Sequence, residues 1–265
     1  MYYIISIEII TIDINRKLTG RDVMNFQKMS EFNKAQNPSL TKAAEYNEGL
    51  RSHMIKVYNY MAMALGVTGA AAFLIASSPA MLQAIYGSPL KWVVVFAPLG
   101  IVFYLSARIN KLSMAAAQAW FWAFATVMGI SLSSILIVYS QESIARAFFI
   151  AAATFASASL YGYTTKKDLS GMGSFLFMGV IGIVIASLVN IFMQSSALQF
   201  GISVIGVLVF TGLAAYDNQK IKHIYNQVSG NAESAGKAAI IGALDLYLTF
   251  INLFIMLLRL FGERR

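Results

Sequence analysis

Cysteine is absent from this 265-residue chain, so disulfides and thiol chemistry are excluded and redox gives no reading of compartment. Histidine is scarce, with only His53 and His223 far apart in the chain, too few ligands for the usual zinc sets. Charge is scarce as well. Charged residues make up 12% of the chain and hydrophobic ones 58%, where a soluble domain carries about 25% charged residues. Half the usual charge cannot coat a water-facing surface, and lipid is the solvent that accepts the remainder. Neither a P-loop nor a G-x-S-x-G elbow occurs, and the paired glycines Gly171 and Gly173 match no site pattern. The expectation is a protein that is not an enzyme and holds no cofactor. The net charge of +8 would suggest nucleic acid in a soluble protein. Here the basic residues stand at the ends of apolar runs, which points to the lipid bilayer and no nucleic acid.

What is present is a series of apolar runs. A helix needs about 20 apolar residues to cross the hydrocarbon core, and seven runs qualify, at approximately 54–77, 90–107, 113–138, 144–165, 171–193, 198–218 and 238–261. The reading is an all-α integral membrane protein, with residues 1–53 a polar tail and 54–265 a seven-helix transmembrane domain. The opening MYYIISIEIITIDI is apolar but interrupted by Glu8 and Asp13, alternates like a strand, and is not counted as a span; no cleavable signal peptide is expected. The longest connection is the polar stretch 219–237. Pro98 falls inside the second run and reads as a structural kink in preference to a hinge. Ala62, Gly66 and Ala70 recur every fourth residue, as do Gly182, Ala186 and Asn190, the spacing that lets membrane helices approach closely. Trp92, Trp120, Tyr139, Tyr161 and Tyr163 lie near run ends, as interfacial anchors do.

Lysine and arginine set the orientation. The tail carries Arg16, Lys17, Arg21, Lys28, Lys34, Lys42 and Arg51; Arg108 and Lys111, Lys166 and Lys167, and Lys220, Lys222 and Lys237 fall in every second connection; the alternate ones carry only Lys91 and Arg146. The N-terminus is therefore expected in the cytoplasm. Seven crossings put the basic end Arg264–Arg265 outside, against that rule, so the last helix either crosses despite its charges, the preferred reading, or re-enters.

Almost all of the 12 acidic residues lie in the tail or the connections. Asp217 closes the sixth run in GLAAYDNQKIK, and Asp245 falls inside the seventh, in GALDLYLTFINLF. A charge at mid-membrane costs about 2.5–3.5 kcal/mol even on lenient scales, and so marks a water-filled path, a counter-ion or a proton. Asp245, Thr249 and Asn252 are spaced i, i+4, i+7 and share one helix face. Such an oxygen-rich line suits a hard cation such as Ca²⁺ or a proton relay; equally, it suits a polar stripe that glues helices together. Arg108 and Asp217 end their runs on the same side, so Arg108 either pairs with Asp217 and plugs the cytoplasmic mouth or snorkels to headgroups.

Four stretches, RSHMIKVYNYMAMALGVTG, LYGYTTKKDLSGMGSFLFMGVIGIVIASLVNIF, GLAAYDNQKIK and GALDLYLTFINLFIMLLRLFG, resemble the Bax inhibitor-1 family, in its bacterial YccA-like branch, from about residue 48 to the C-terminus. The resemblance implies six helices around a central last helix, a bacterial inner (plasma) membrane location, and a pH-sensitive Ca²⁺ leak sensed by two aspartates, one on the sixth and one on the last helix. Asp217 matches the first. The second precedes the Phe of an L-D-F-I-N motif, which reads L-T-F-I-N here, with Thr249 in the aspartate's place and Asp245 one turn earlier. Arg108 matches the family's arginine at the end of the second helix. Asp217, Asp245, Thr249 and Asn252 are the expected ion path and pH sensor, Arg108 with Asp217 the expected gate pair, and Asp217 with Asp245 the transient Ca²⁺ ligands. The bacterial branch also suggests a non-transporting alternative, a regulator that binds a membrane-bound protease. No oligomeric state is set by the sequence; a monomer is the default.

Overall fold

In lipid, every backbone N–H and C=O must be satisfied within its own segment, so apolar runs of this length fold as helices. A computed structural model of the chain describes residues 40–265, with side chains from Tyr46 onward; the MYYIISIEIITIDI stretch and most of the tail lie outside the described residues. Among the described residues eight helices follow one another: α1 (Leu40–Ala76), the short α2 (Pro79–Tyr86), α3 (Leu90–Arg108), α4 (Met114–Val138), α5 (Gln141–Thr164), α6 (Ser170–Met193), α7 (Ser196–Val228) and α8 (Ala232–Phe261). All but α2 are long and apolar enough to cross a membrane, giving the seven expected spans. Short polar side chains start them. Ser78, Ser113, Ser140, Ser195 and Asn231 each accept from the backbone N–H three residues on, satisfying one of the donors a helix start leaves open. Residues 40–53, expected in the tail, form the first turns of α1.

The central element is α8. Every residue from Ala239 to Leu258 is buried, and α8 packs against α1, α4, α5 and α7. The other two spans lie outside this ring, α3 against α4 and α6 against α7. Outward-facing side chains such as Phe149, Phe175, Phe192 and Leu208 are largely exposed, the pattern of a bundle whose solvent is lipid. The last helix is continuous from Ala232 to Phe261, without the break that a re-entrant segment needs. Its end is tied to the α4–α5 turn: Arg265 N–H donates to Val138 O (2.9 Å), Ser140 N–H to Glu263 O (3.2 Å) and Glu263 N–H to Ser143 Oγ (3.0 Å).

Three sequence expectations change. The stretch 219–237 is not a long connection: α7 runs on to Val228, α8 starts at Ala232 with Asn231 as its cap, and residues 229–231 alone join them. The residues of 219–228 have helical partners on their inner face, which holds them in the helix. The small-residue stripe Ala62, Gly66, Ala70 is exposed, and a Cβ on Gly66 or Gly182 would meet nothing within 4 Å. Close approach occurs instead at Gly129, where a Cβ would come within 2.7 Å of the Ala71 methyl carbon, and at Gly162, where it would overlap the Ala215 carbonyl. Tyr139 is no interfacial anchor either; it is buried, with the Arg264 guanidinium 6.0 Å from its ring centre. That contact gives one of the two basic residues at this end a partner within the protein. On the same side Arg146 pairs with Glu142 at 2.9 Å, so this face carries less uncompensated positive charge than its residue count suggests.

Candidate functional site

The site is built where α7 faces α8, and the run Asp217–Lys222 organises it. Each polar residue of that run reaches a different part of the bundle. Asp217, 3% exposed, accepts at Oδ2 from Thr249 Oγ1 of α8 (2.7 Å). Asn218 accepts at Oδ1 from the Tyr58 hydroxyl of α1, and donates through Nδ2 to Ser159 Oγ of α5 (2.9 Å) and to Ala214 O (2.7 Å). Gln219 holds the second half of the α5–α6 turn, accepting from Leu169 N–H and donating to Lys167 O, each at 2.7 Å. Lys220 Nζ donates to Asp245 Oδ2 of α8 at 3.0 Å, with the two side chains 14% and 6% exposed. Lys222 Nζ donates to Tyr163 O (3.4 Å) and lies 5.7 Å from that ring's centre. The YDNQKIK and LYGYTTKKDLS segments are thus parts of one contact network.

Two residues of the α8 stripe, Asp245 and Thr249, face this network. They meet α7 through Lys220 and Asp217, and Asn252 is buried with them. Asp217 lies within the electrostatic reach of Lys220 and Asp245, and Lys220 within that of both carboxylates. The cluster holds two carboxylates and one ammonium, hence one net negative charge when all are ionised. Thr249, in the place of the aspartate that the resemblance implies, supplies a hydroxyl donor to Asp217. Buried charges in a bundle are tolerated when paired and hydrogen-bonded; Asp245 is both through Lys220, while Asp217 is hydrogen-bonded to Thr249 with Lys220 as its nearby cation. On another side of α8, between Asp245 and Thr249 in the chain, Tyr247 OH and Thr68 Oγ1 are 2.8 Å apart, Thr68 donates to Ala125 O (2.8 Å), and the Phe124 ring stands edge-on to Tyr247 at 5.3 Å.

The expected gate pair is not formed. Arg108 is exposed at the end of α3, a helix that packs on α4 and α2 and is kept from Asp217 by the inner ring. The cation beside the buried carboxylates is Lys220, which the sequence reading used only for topology. The signal was available: Lys220 follows Asp217 by three residues and therefore shares its helix face. It was hidden by the assumption that α7 ends at residue 218. Among the described residues no three His, Cys, Asp or Glu side chains cluster as a metal site; the oxygen donors gathered here are the Asp217 and Asp245 carboxylates and the Thr249 hydroxyl.

Comparison with known proteins agrees with this reading of the motifs. The family model described as inhibitor of apoptosis-promoting Bax1 matches residues 50–265. An uncharacterized protein of Rickettsia prowazekii is 47% identical over 225 residues, covering 85% of this chain and 95% of its own. The inner membrane protein YbhL of Escherichia coli is 46% identical over 219 residues, 82% of this chain and 94% of its own, and an uncharacterized protein of Caulobacter vibrioides is 45% identical over 226 residues, 82% and 90%. With seven spans, a buried last helix and a match across nearly the whole transmembrane domain, the chain belongs to the Bax inhibitor-1 family of multi-pass membrane proteins.

Proposed function

We propose that the protein is a pH-sensitive leak for Ca²⁺, or for a cation coupled to protons, controlled by protonation of Asp217 and Asp245. The observation that carries this reading is the pair of buried carboxylates on facing helices with Lys220 beside them. Packing alone does not require charge in the centre of a bundle; polar glue would be met by Thr, Asn or Ser at lower cost. A cluster one charge negative attracts a cation, and its carboxylate and hydroxyl oxygens are the donors Ca²⁺ prefers. Adding a proton to either carboxylate cancels that charge and changes what Lys220 is paired with, and two interacting carboxylates titrate together. The structure is a closed state in this reading, because α8 fills the centre of the bundle and is buried on every side from Ala239 to Leu258. Conduction then requires α8 to part from its neighbours. Thr249 keeps Asp217 hydrogen-bonded without a second aspartate, and Asp245 takes that aspartate's part as the second titrating group.

The test is flux. Purified protein in liposomes holding a Ca²⁺ indicator should pass Ca²⁺ at a rate that differs between neutral and mildly acidic medium. Asp217→Asn and Asp245→Asn, close in shape but without the charge, should fold and flatten that dependence. Folded wild-type protein that passes no Ca²⁺ at either pH would sink the leak and favour the non-transporting regulator of a membrane-bound protease.

A further inference from the structure

The inner ring around α8 has an opening. Helices α1 and α5 flank the central helix, yet they barely touch each other. Between them lie two cavities, end to end. One, about 630 Å³, runs from Arg51 to Leu65 on α1 and from Phe155 to Tyr163 on α5. The other, about 280 Å³, continues from Leu65 to Phe73 with Phe250 and Phe254 of α8 as its floor. Leu65 borders both, so the two form one lateral cleft. The larger part runs along residues 51–65 of α1, about 21 Å at 1.5 Å rise per residue. That is one leaflet's share of a hydrocarbon core about 30 Å thick, with some headgroup depth added.

The chemistry changes along this length. Its inner part is lined by Met61, Leu65 and Phe155, and its outer end by the Arg51 side chain and Tyr163. Lys222 joins that end through its contacts with the Tyr163 ring and carbonyl. Among the described residues, neither Arg51 nor Lys222 has an ion-pair partner. A guanidinium and an ammonium at the mouth of an apolar groove match a phosphodiester above an acyl chain, because arginine binds phosphate oxygens two at a time and basic pockets between spans take anionic headgroups. We propose that this cleft is a binding site for one anionic phospholipid, with its phosphate at Arg51 and Lys222 and an acyl chain between α1 and α5. The lipid completes the wall of the bundle where protein contacts are missing. Its chain covers Tyr58 and Ser159, the residues that hold Asn218 beside Asp217, and so keeps water from that side of the buried network.

The test uses the full chain in detergent with phosphatidylglycerol or phosphatidylcholine added, and native mass spectrometry to count retained lipid. Wild type should retain one phosphatidylglycerol per chain at least tenfold more readily than phosphatidylcholine. The double variant Arg51→Gln/Lys222→Gln should lose that preference. Ala156→Phe, at an exposed position lining the cleft, leaves both charges in place and should abolish retention of either lipid. Equal retention of the two lipids by wild type, or phosphatidylglycerol retention unchanged in Ala156→Phe, would overturn the assignment and leave the cleft to another occupant.

Discussion

Replacing Lys220 by Met removes the cation from a buried ion pair and leaves Asp245, 6% exposed, with its Oδ2 facing a methyl group instead of an ammonium 3.0 Å away. Breaking such a pair from one side costs about 3–5 kcal/mol, because the remaining charge has lost its compensation. The lower end applies here. The Lys220 side chain is 14% exposed, so water has a narrow approach, and Asp217 and Asp245 share the remaining polar surroundings. The expected loss is about 3 kcal/mol, a shift of more than a hundredfold in the folding equilibrium. Removing both charges is different. Lys220→Met/Asp245→Leu replaces the pair by apolar side chains, a change that is often neutral or stabilising, so the double variant should lie within about 1 kcal/mol of wild type and the coupling should be at least about 2 kcal/mol, larger by whatever Asp245→Leu alone costs. Unfolding of the four proteins in mixed detergent and dodecyl sulfate micelles, followed by circular dichroism, measures the cycle. Additive effects, with a coupling below about 0.5 kcal/mol, would show that Lys220 and Asp245 do not depend on one another and would remove the counter-ion from the proposed site.

Three further outcomes are expected. Thr249→Val deletes the donor to Asp217 and should cost about 1.5–3 kcal/mol, the worth of a hydrogen bond to a charged group, in the same unfolding assay, while Thr249→Ser keeps most of it; equal losses in both would mean that the methyl group, not the hydroxyl, matters. Gly162→Ala forces a Cβ into the Ala215 carbonyl and should destabilise by about 1–3 kcal/mol, whereas Gly66→Ala, with open space around it, should change stability by less than about 0.5 kcal/mol; the reverse order would put the helix interface on the wrong face of α1. A topology reporter inserted at Gly230 should give a cytoplasmic readout, because it shares an end of the bundle with the start of α1 and with the basic connections; an external readout would invert the orientation read from the lysines and arginines.

Composition and apolar run length determined that the chain crosses a membrane, how many times, and nearly where, because in lipid a backbone has one low-cost solution and run length meets a fixed thickness. The i, i+4, i+7 spacing of Asp245, Thr249 and Asn252 likewise fixed a shared face. Local sequence could not say what that face meets. Asp217 is closer in the chain to Lys220 than to any residue of α8, yet it bonds Thr249, while Lys220 passes to Asp245; the register of α7 against α8 decides both. The same holds for glycine. Gly66 and Gly162 look alike in sequence, but only Gly162 has a neighbouring backbone against it, since contact depends on how each helix is rotated within the bundle. Arg108 shares an end of the membrane with Asp217, as the charge pattern implies, yet α3 lies outside the inner ring and the arginine never reaches it. Depth in the membrane is a property of one segment and can be read from it. Partnership between side chains belongs to the packed bundle, which places Lys220 where the charge pattern had suggested Arg108.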